Sequence, residues 1–194
     1  EIRLSLVGSE MCIRDREKAA PADRDAAGPF DASEVGVLNP YLDFGSIRIA
    51  PRSDMQIRAE VEDASKRVVA ITVEINGHTL QLQAFASTRS EGLWLSTLEG
   101  LSKSITEQGG VATKRTGAIG PELLTEIPSQ NKKTLFIGCD GPRWFLRGLV
   151  SGADLTGPNY AELVSVFRST VVNRGDTALP PGDLLPLRLP VANG

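Results

Sequence analysis

The segment Asp140-Gly-Pro-Arg-Trp-Phe-Leu-Arg-Gly148 is where this sequence comes nearest to a site with chemistry in it. Along an extended strand, successive side chains alternate between faces, so Arg143, Phe145, Arg147 and Leu149 share one face. Trp144, Leu146 and Val150 share the other and read as core. At about 3.3 Å per residue, Arg143 and Arg147 stand roughly 13 Å apart with Phe145 between them. Two forked cationic donors flanking an aromatic ring suit a phosphate, a carboxylate or a base. The competing arrangement is structural. In it both arginines pair with acids on neighbouring strands, and Phe145 packs beneath a helix.

Residue types needed for catalysis are scarce elsewhere. His78 is the only histidine and flanks a hairpin turn, so any Ser-His-Asp or Cys-His arrangement would depend on that one residue. Cys12 and Cys139 are the only cysteines, too few for a disulfide framework or a cysteine-based zinc site. Gly110-Val-Ala-Thr-Lys-Arg-Thr-Gly117 lacks the glycine that precedes the lysine of a phosphate loop. No metal, no cofactor and no catalytic residue is therefore expected. The leading expectation is a non-enzymatic module that binds a protein partner or a small anionic ligand. The first alternative is an anion, nucleotide or nucleic-acid binder using Arg143 and Arg147. The second is an enzyme working through Asp, Glu, Lys, Tyr or Ser without a histidine.

Composition narrows the partners. The chain of 194 residues is 41% hydrophobic and carries a formal charge of −3. That balance supplies a core but no overall attraction to nucleic acid or to an anionic membrane, which leaves nucleic acid only a local basic patch. No apolar run reaches the length of a membrane span, and no secretory pattern is visible. A cytoplasmic location is the expectation.

The elements that would position the arginine pair are mostly strands. Short alternating runs cover Gly45 to Ile49 and Met55 to Val61. Asn76-Gly77 is the preferred pair for a two-residue hairpin, because both positions need φ > 0. Folding about it sets Ile75 opposite His78, Val73 opposite Leu80, Ile71 opposite Leu82 and Val69 opposite Ala84. Trp94, Leu98, Leu101 and Ile105 form the stripe of a helix, with Ser90 as its expected N-cap and Gly109-Gly110 as its stop. Strand-like runs return at Val111 to Thr116 and Glu122 to Ile127. Thr134 to Cys139 and Arg143 to Ser151 then make a second hairpin. A last helix is expected from Asn159, with Glu162 near a capping box and Tyr160, Leu163, Val164, Phe167 and Val171 as its stripe. From Arg174 the chain is Pro-rich, and its leucines suggest an extended strap.

This order predicts an α+β fold: a largely antiparallel sheet with two main helices, similar in outline to PsbP-like α/β/α sandwiches, and a Pro-rich C-terminal strap. Residues 1–36 read as a disordered leader, 37–175 as one domain and 176–194 as the strap and tail. The first sixteen residues resemble a translated sequencing-adapter artefact.

Several stretches carry a family resemblance. They are Leu42-Asp-Phe-Gly-Ser-Ile-Arg-Ile49, Leu80-Gln-Leu-Gln-Ala-Phe-Ala86, Gln108-Gly-Gly110, Asp140-Gly-Pro-Arg-Trp-Phe-Leu-Arg-Gly148, Arg174-Gly-Asp176 and Leu185-Pro-Leu-Arg-Leu-Pro190. As a set, over about 28–190, they resemble the actinobacterial domain-of-unknown-function family 3710. The resemblance implies no activity, cofactor or site residue.

Overall fold

The computed structural model describes residues 17–36, 40–152 and 155–190. The stretch read as an adapter artefact lies outside them. Two sheets dominate. The larger has seven strands: β4 (Gln56–Val61), β5 (Val68–Ile75), β6 (His78–Ala86), β7 (Val111–Gly117), β8 (Gly120–Ile127), β9 (Lys132–Asp140) and β10 (Trp144–Ser151). They are ordered β4-β5-β6-β10-β9-β8-β7, and neighbours are antiparallel. The smaller is formed by β1 (Phe30–Asp31), β2 (Leu42–Asp43), β3 (Ile47–Ile49) and β11 (Val171–Val172). Among the described residues the α-helices are a single turn, α1 (Arg24–Ala27), and two longer ones, α2 (Trp94–Glu107) and α3 (Gly157–Ser169). The fold is α+β and mostly antiparallel.

The central hairpin follows its turn chemistry. Asn76 at φ 52° and Gly77 at φ 77° supply the left-handed pair that joins β5 to β6. Ile75 faces His78, Val73 faces Leu80 and Ile71 faces Leu82, as the turn predicts. The ladder stops there instead of continuing to Val69 and Ala84. Beyond it the C-terminal segment takes over, with Leu185 N donating to Ala84 O and Gly182 N donating to Ala86 O, both at 2.8 Å. A backbone carbonyl already used in this way is lost to β5.

Period-two alternation gives the large sheet two different faces. The inner face gathers Ile71, Val73, Leu80, Leu82, Ile137 and Leu146, each at most 1% exposed. It packs on Leu163, Val164 and Phe167 of α3 and on Ile47 and Ile49 of β3. The outer face is covered mainly over β7, β8 and β9, by α2. Trp94 and Leu98 of that helix are buried against Leu123 and Phe145. The Trp94 ring lies flat on β9 because residue 138 is glycine; a Cβ there would sit 2.4 Å from the indole.

Two helix boundaries differ from expectation. Ser90 is not the cap of α2. The helix begins at Trp94, and the Asp140 carboxylate caps it from the end of β9, accepting from Leu93 N at 2.7 Å and from Trp94 N at 3.3 Å. The last helix begins two residues early, at Gly157. Its Glu162 accepts from Asn76 Nδ2 at 3.2 Å, and Val171 leaves the helix to join β11.

Residues 17–36, expected as part of a leader, make specific bonds to the rest of the domain. Ala19 N donates to Asp140 Oδ2 and Asp140 N donates to Ala19 O, each at 2.9 Å. Phe30 N donates to Thr170 O at 3.0 Å, β1 pairs in parallel with β11, and Trp144 Nε1 donates to Asp31 Oδ1 at 2.9 Å. These bonds are polar and pointwise, so hydrophobic periodicity carries no trace of them.

Candidate functional site

Where α2 ends its cover of the outer face, the neighbouring strands β6 and β10 are left partly open. They pair in register, with Phe145 opposite Phe85 and Arg147 opposite Gln83. Opposed residues project to the same side, so these four side chains form one patch. Phe145 is 3% exposed and lies between two rings, with centroids 5.6 Å from both Phe85 and Trp94. Offset stacks of this kind hold an aromatic floor rigid.

Arg147 lies across that floor. Its guanidinium carbon stands 5.2 Å from the centre of the Phe85 ring. Nη2 donates to Gln83 Oε1, and Gln83 Nε2 donates in turn to Val69 O at 3.1 Å. The chain of bonds fixes both side chains, yet the partner of the cation is a neutral amide. Among the described residues no carboxylate pairs with Arg147. Burial draws its pKa below the ordinary guanidinium value, with no opposing charge to restore it.

Phe85, Phe145 and Arg147, together with Leu93, Thr97 and Gly182, line a cavity of about 170 Å³. Its sides come from three parts of the chain: the sheet, the first turn of α2 and the C-terminal segment. The Thr97 hydroxyl donates to Leu93 O at 2.6 Å, which leaves its oxygen as an acceptor. A space of this size holds a single six-membered ring. The lining is therefore mostly apolar, with the Thr97 hydroxyl and one partly desolvated cation as its polar groups.

The sequence-predicted residues divide at this point. Phe145 and Arg147 meet in the cavity. Arg143 lies one residue before β10 and outside the lining, and its carbonyl accepts from Ser87 N at 3.0 Å. Phe85, Leu93, Thr97 and Gly182 were not anticipated. The β6–β10 pairing that brings them together had no local signal, although the aromatic at Phe85 already stood in a clearly alternating strand.

The other reactive types are placed structurally. Cys139 is fully buried, and burial pushes its thiol up to about 12. His78 is buried beside its turn, with Nδ1 3.0 Å from Asn76 O. Glu122 is 3% exposed; Oε1 accepts from Tyr160 at 3.1 Å and lies 3.4 Å from Arg115 Nε. Burial raises the Glu122 pKa, while Arg115 and Tyr160 act against that rise. Among the described residues no three His, Cys, Asp or Glu side chains gather as a metal site, and no helix is long and apolar enough to cross a membrane.

No curated protein and no solved structure matches the chain. The family model described as a protein of unknown function (DUF3710) does match, over residues 28–193, and the chain belongs to that family.

Proposed function

We propose that this domain is a non-enzymatic binding module whose ligand is a compact aromatic anion, held in the cavity between β6, β10 and α2. The observation that carries the reading is Arg147, a partly buried guanidinium facing a cavity with no acid of its own. A charge taken from water is normally paired, and an unpaired one costs stability. An incoming carboxylate or phosphate would complete it with the two parallel bonds that a guanidinium favours. The ring of the ligand would rest on Phe85 and Leu93.

The lining supports binding rather than catalysis. A guanidinium stays protonated and cannot act as a base near neutral pH, and the Thr97 hydroxyl is committed to Leu93 O. The proposal includes a cytoplasmic location, which the unpaired, buried Cys139 fits.

Thermal melting with benzoate, phenyl phosphate and neutral benzamide tests this. Saturable stabilisation is expected from one or both anions and not from benzamide, and Arg147→Gln should abolish it. A ligand at about 100 times its Kd stabilises by about 2.7 kcal/mol, which is easily read. No saturable response to either anion at millimolar concentration would overturn the proposal.

A further inference from the structure

A second cavity, of about 310 Å³, lies between the β2–β3 turn and the C-terminal segment. Asp43, Ser46, Asn173, Arg174, Thr177 and Arg188 contribute to its wall. Its charges do not balance. Asp43 Oδ1 accepts from Gly45 N at 2.8 Å, while Oδ2 lies 3.2 Å from Arg188 Nη2 and 3.8 Å from Arg48 Nε. Arg174 donates through Nη1 to Thr177 O at 2.8 Å, and among the described residues it pairs with no carboxylate. Arg48 and Arg188 thus share a single acid, and Arg174 has only a neutral carbonyl. The Nε atoms of Arg48 and Arg174 are both buried without a hydrogen-bond partner.

Buried donors without acceptors are rare, because each forfeits its bonds to water. Of the two, Arg174 lines the cavity, while Arg48 stands behind the wall, its Nε 3.8 Å from Asp43 Oδ2. Arg48 and Arg188 converge on one oxygen of Asp43, so the surplus positive charge is concentrated. A compact dianion suits that arrangement better than two carboxylates spaced along a chain. The cavity also exceeds what inorganic phosphate would fill and lies at the lower end of the range for small-molecule sites.

We propose that this cavity binds a small organic phosphate monoester, with its phosphoryl group between Arg174 and Arg188 and its organic part toward Pro186 and Leu187. The site shares no lining residue with the Arg147 cavity, so either can stand without the other.

The test uses the full chain with glycerol 3-phosphate as probe, glycerol as neutral control and sodium chloride at matched ionic strength. Calorimetric titration should show saturable binding of glycerol 3-phosphate and none of glycerol. Arg174→Gln should weaken it by about tenfold or more, the usual loss when one charged hydrogen bond is removed. Arg188→Gln gives a second reading if Arg174→Gln fails to fold, and Arg147→Gln should leave the affinity unchanged. Absence of saturable binding overturns the proposal, as does an affinity that survives both arginine substitutions. Loss of binding in Arg147→Gln alone would assign the probe to the other cavity and also overturn it.

Discussion

On the inner face of the seven-stranded sheet, α3 and the small sheet cover a continuous aliphatic surface from Ile71 to Leu146. On the outer face, α2 covers β7 to β9 and then stops, so Gln81, Gln83, Arg147 and Leu149 remain partly exposed. Both faces come from the same strands by simple alternation, yet they solve different problems. The inner face needs only apolar volume, which any well-packed aliphatic set supplies. The outer face mixes rings, amides and charges, and each polar atom there must find a particular partner. Asp140 at one end of that face is fully engaged, whereas Arg147, further along β10, has only a neutral amide. The contrast separates structural polarity from polarity available to a ligand.

The largest expected effect tests the structural side. Asp140 is 1% exposed and accepts from Ala19 N, Leu93 N and Trp94 N, so it ties the N-terminal segment, the start of α2 and the end of β9 together. Burial raises its pKa, while those three donors and Lys18 act in the opposite direction. Asp140→Ala removes a helix cap and leaves buried N–H groups without acceptors. The expected loss is about 3 kcal/mol by chemical denaturation. A loss under about 1 kcal/mol would mean that water replaces the carboxylate freely, and Asp140 would no longer contrast with Arg147.

How much of this was legible depended on the reach of each signal. The β5–β6 register was readable because Asn76-Gly77 fixes it within the hairpin itself, and the stripe from Trp94 to Ile105 located α2 through its 3.6-residue period. Phe145 and Arg147 were placed on one face by alternation alone. Their cavity was not readable, since Arg147 and Gln83 lie 64 residues apart and meet only through the β6–β10 ladder. The same limit hid the role of Asp140. A single carboxylate receiving donors from positions 19, 93 and 94 leaves no periodic trace, so residues 17–36 read as a leader and Ser90 as a cap.

A smaller effect is expected at Glu122, on the edge of the inner face beneath Tyr160. Its Oε2 is buried without a hydrogen-bond partner, and burial is the main reason its pKa is raised. The folded protein therefore holds this proton more tightly than the unfolded chain does. The Glu122 contribution to stability is fully present below the unfolded value of about 4.3 and is lost as pH rises through the folded pKa. Glu122→Gln cannot ionise and escapes that loss. Its melting temperature should exceed the parent's by a few degrees at pH 7.5, with the gap closing toward pH 4. A variant less stable than the parent at pH 7.5 would show that Arg115 and Tyr160 outweigh the burial cost. Glu122 would then join Asp140 as an acid that its partners hold in place.

The smallest effect is expected at Arg147, and its smallness is the point. Arg147→Met keeps an unbranched stem over Phe85 and removes the charge. Lost are the bond to Gln83 Oε1 and the cation–π contact, each worth on the order of 1 kcal/mol. Gained is relief from a cation held partly out of water with no acid to offset it. Gln83 keeps its bond to Val69 O and is itself partly exposed, so water can reach its freed carbonyl. The opposing terms are similar in size, so unliganded stability should stay within about 1 kcal/mol of the parent. Chemical denaturation of both proteins in low-salt buffer measures this. A loss above about 2 kcal/mol would show that Arg147 holds β6 to β10 as Asp140 holds α2 to β9. The outer face would then be structural along its whole length, leaving no desolvated cation for a ligand to complete.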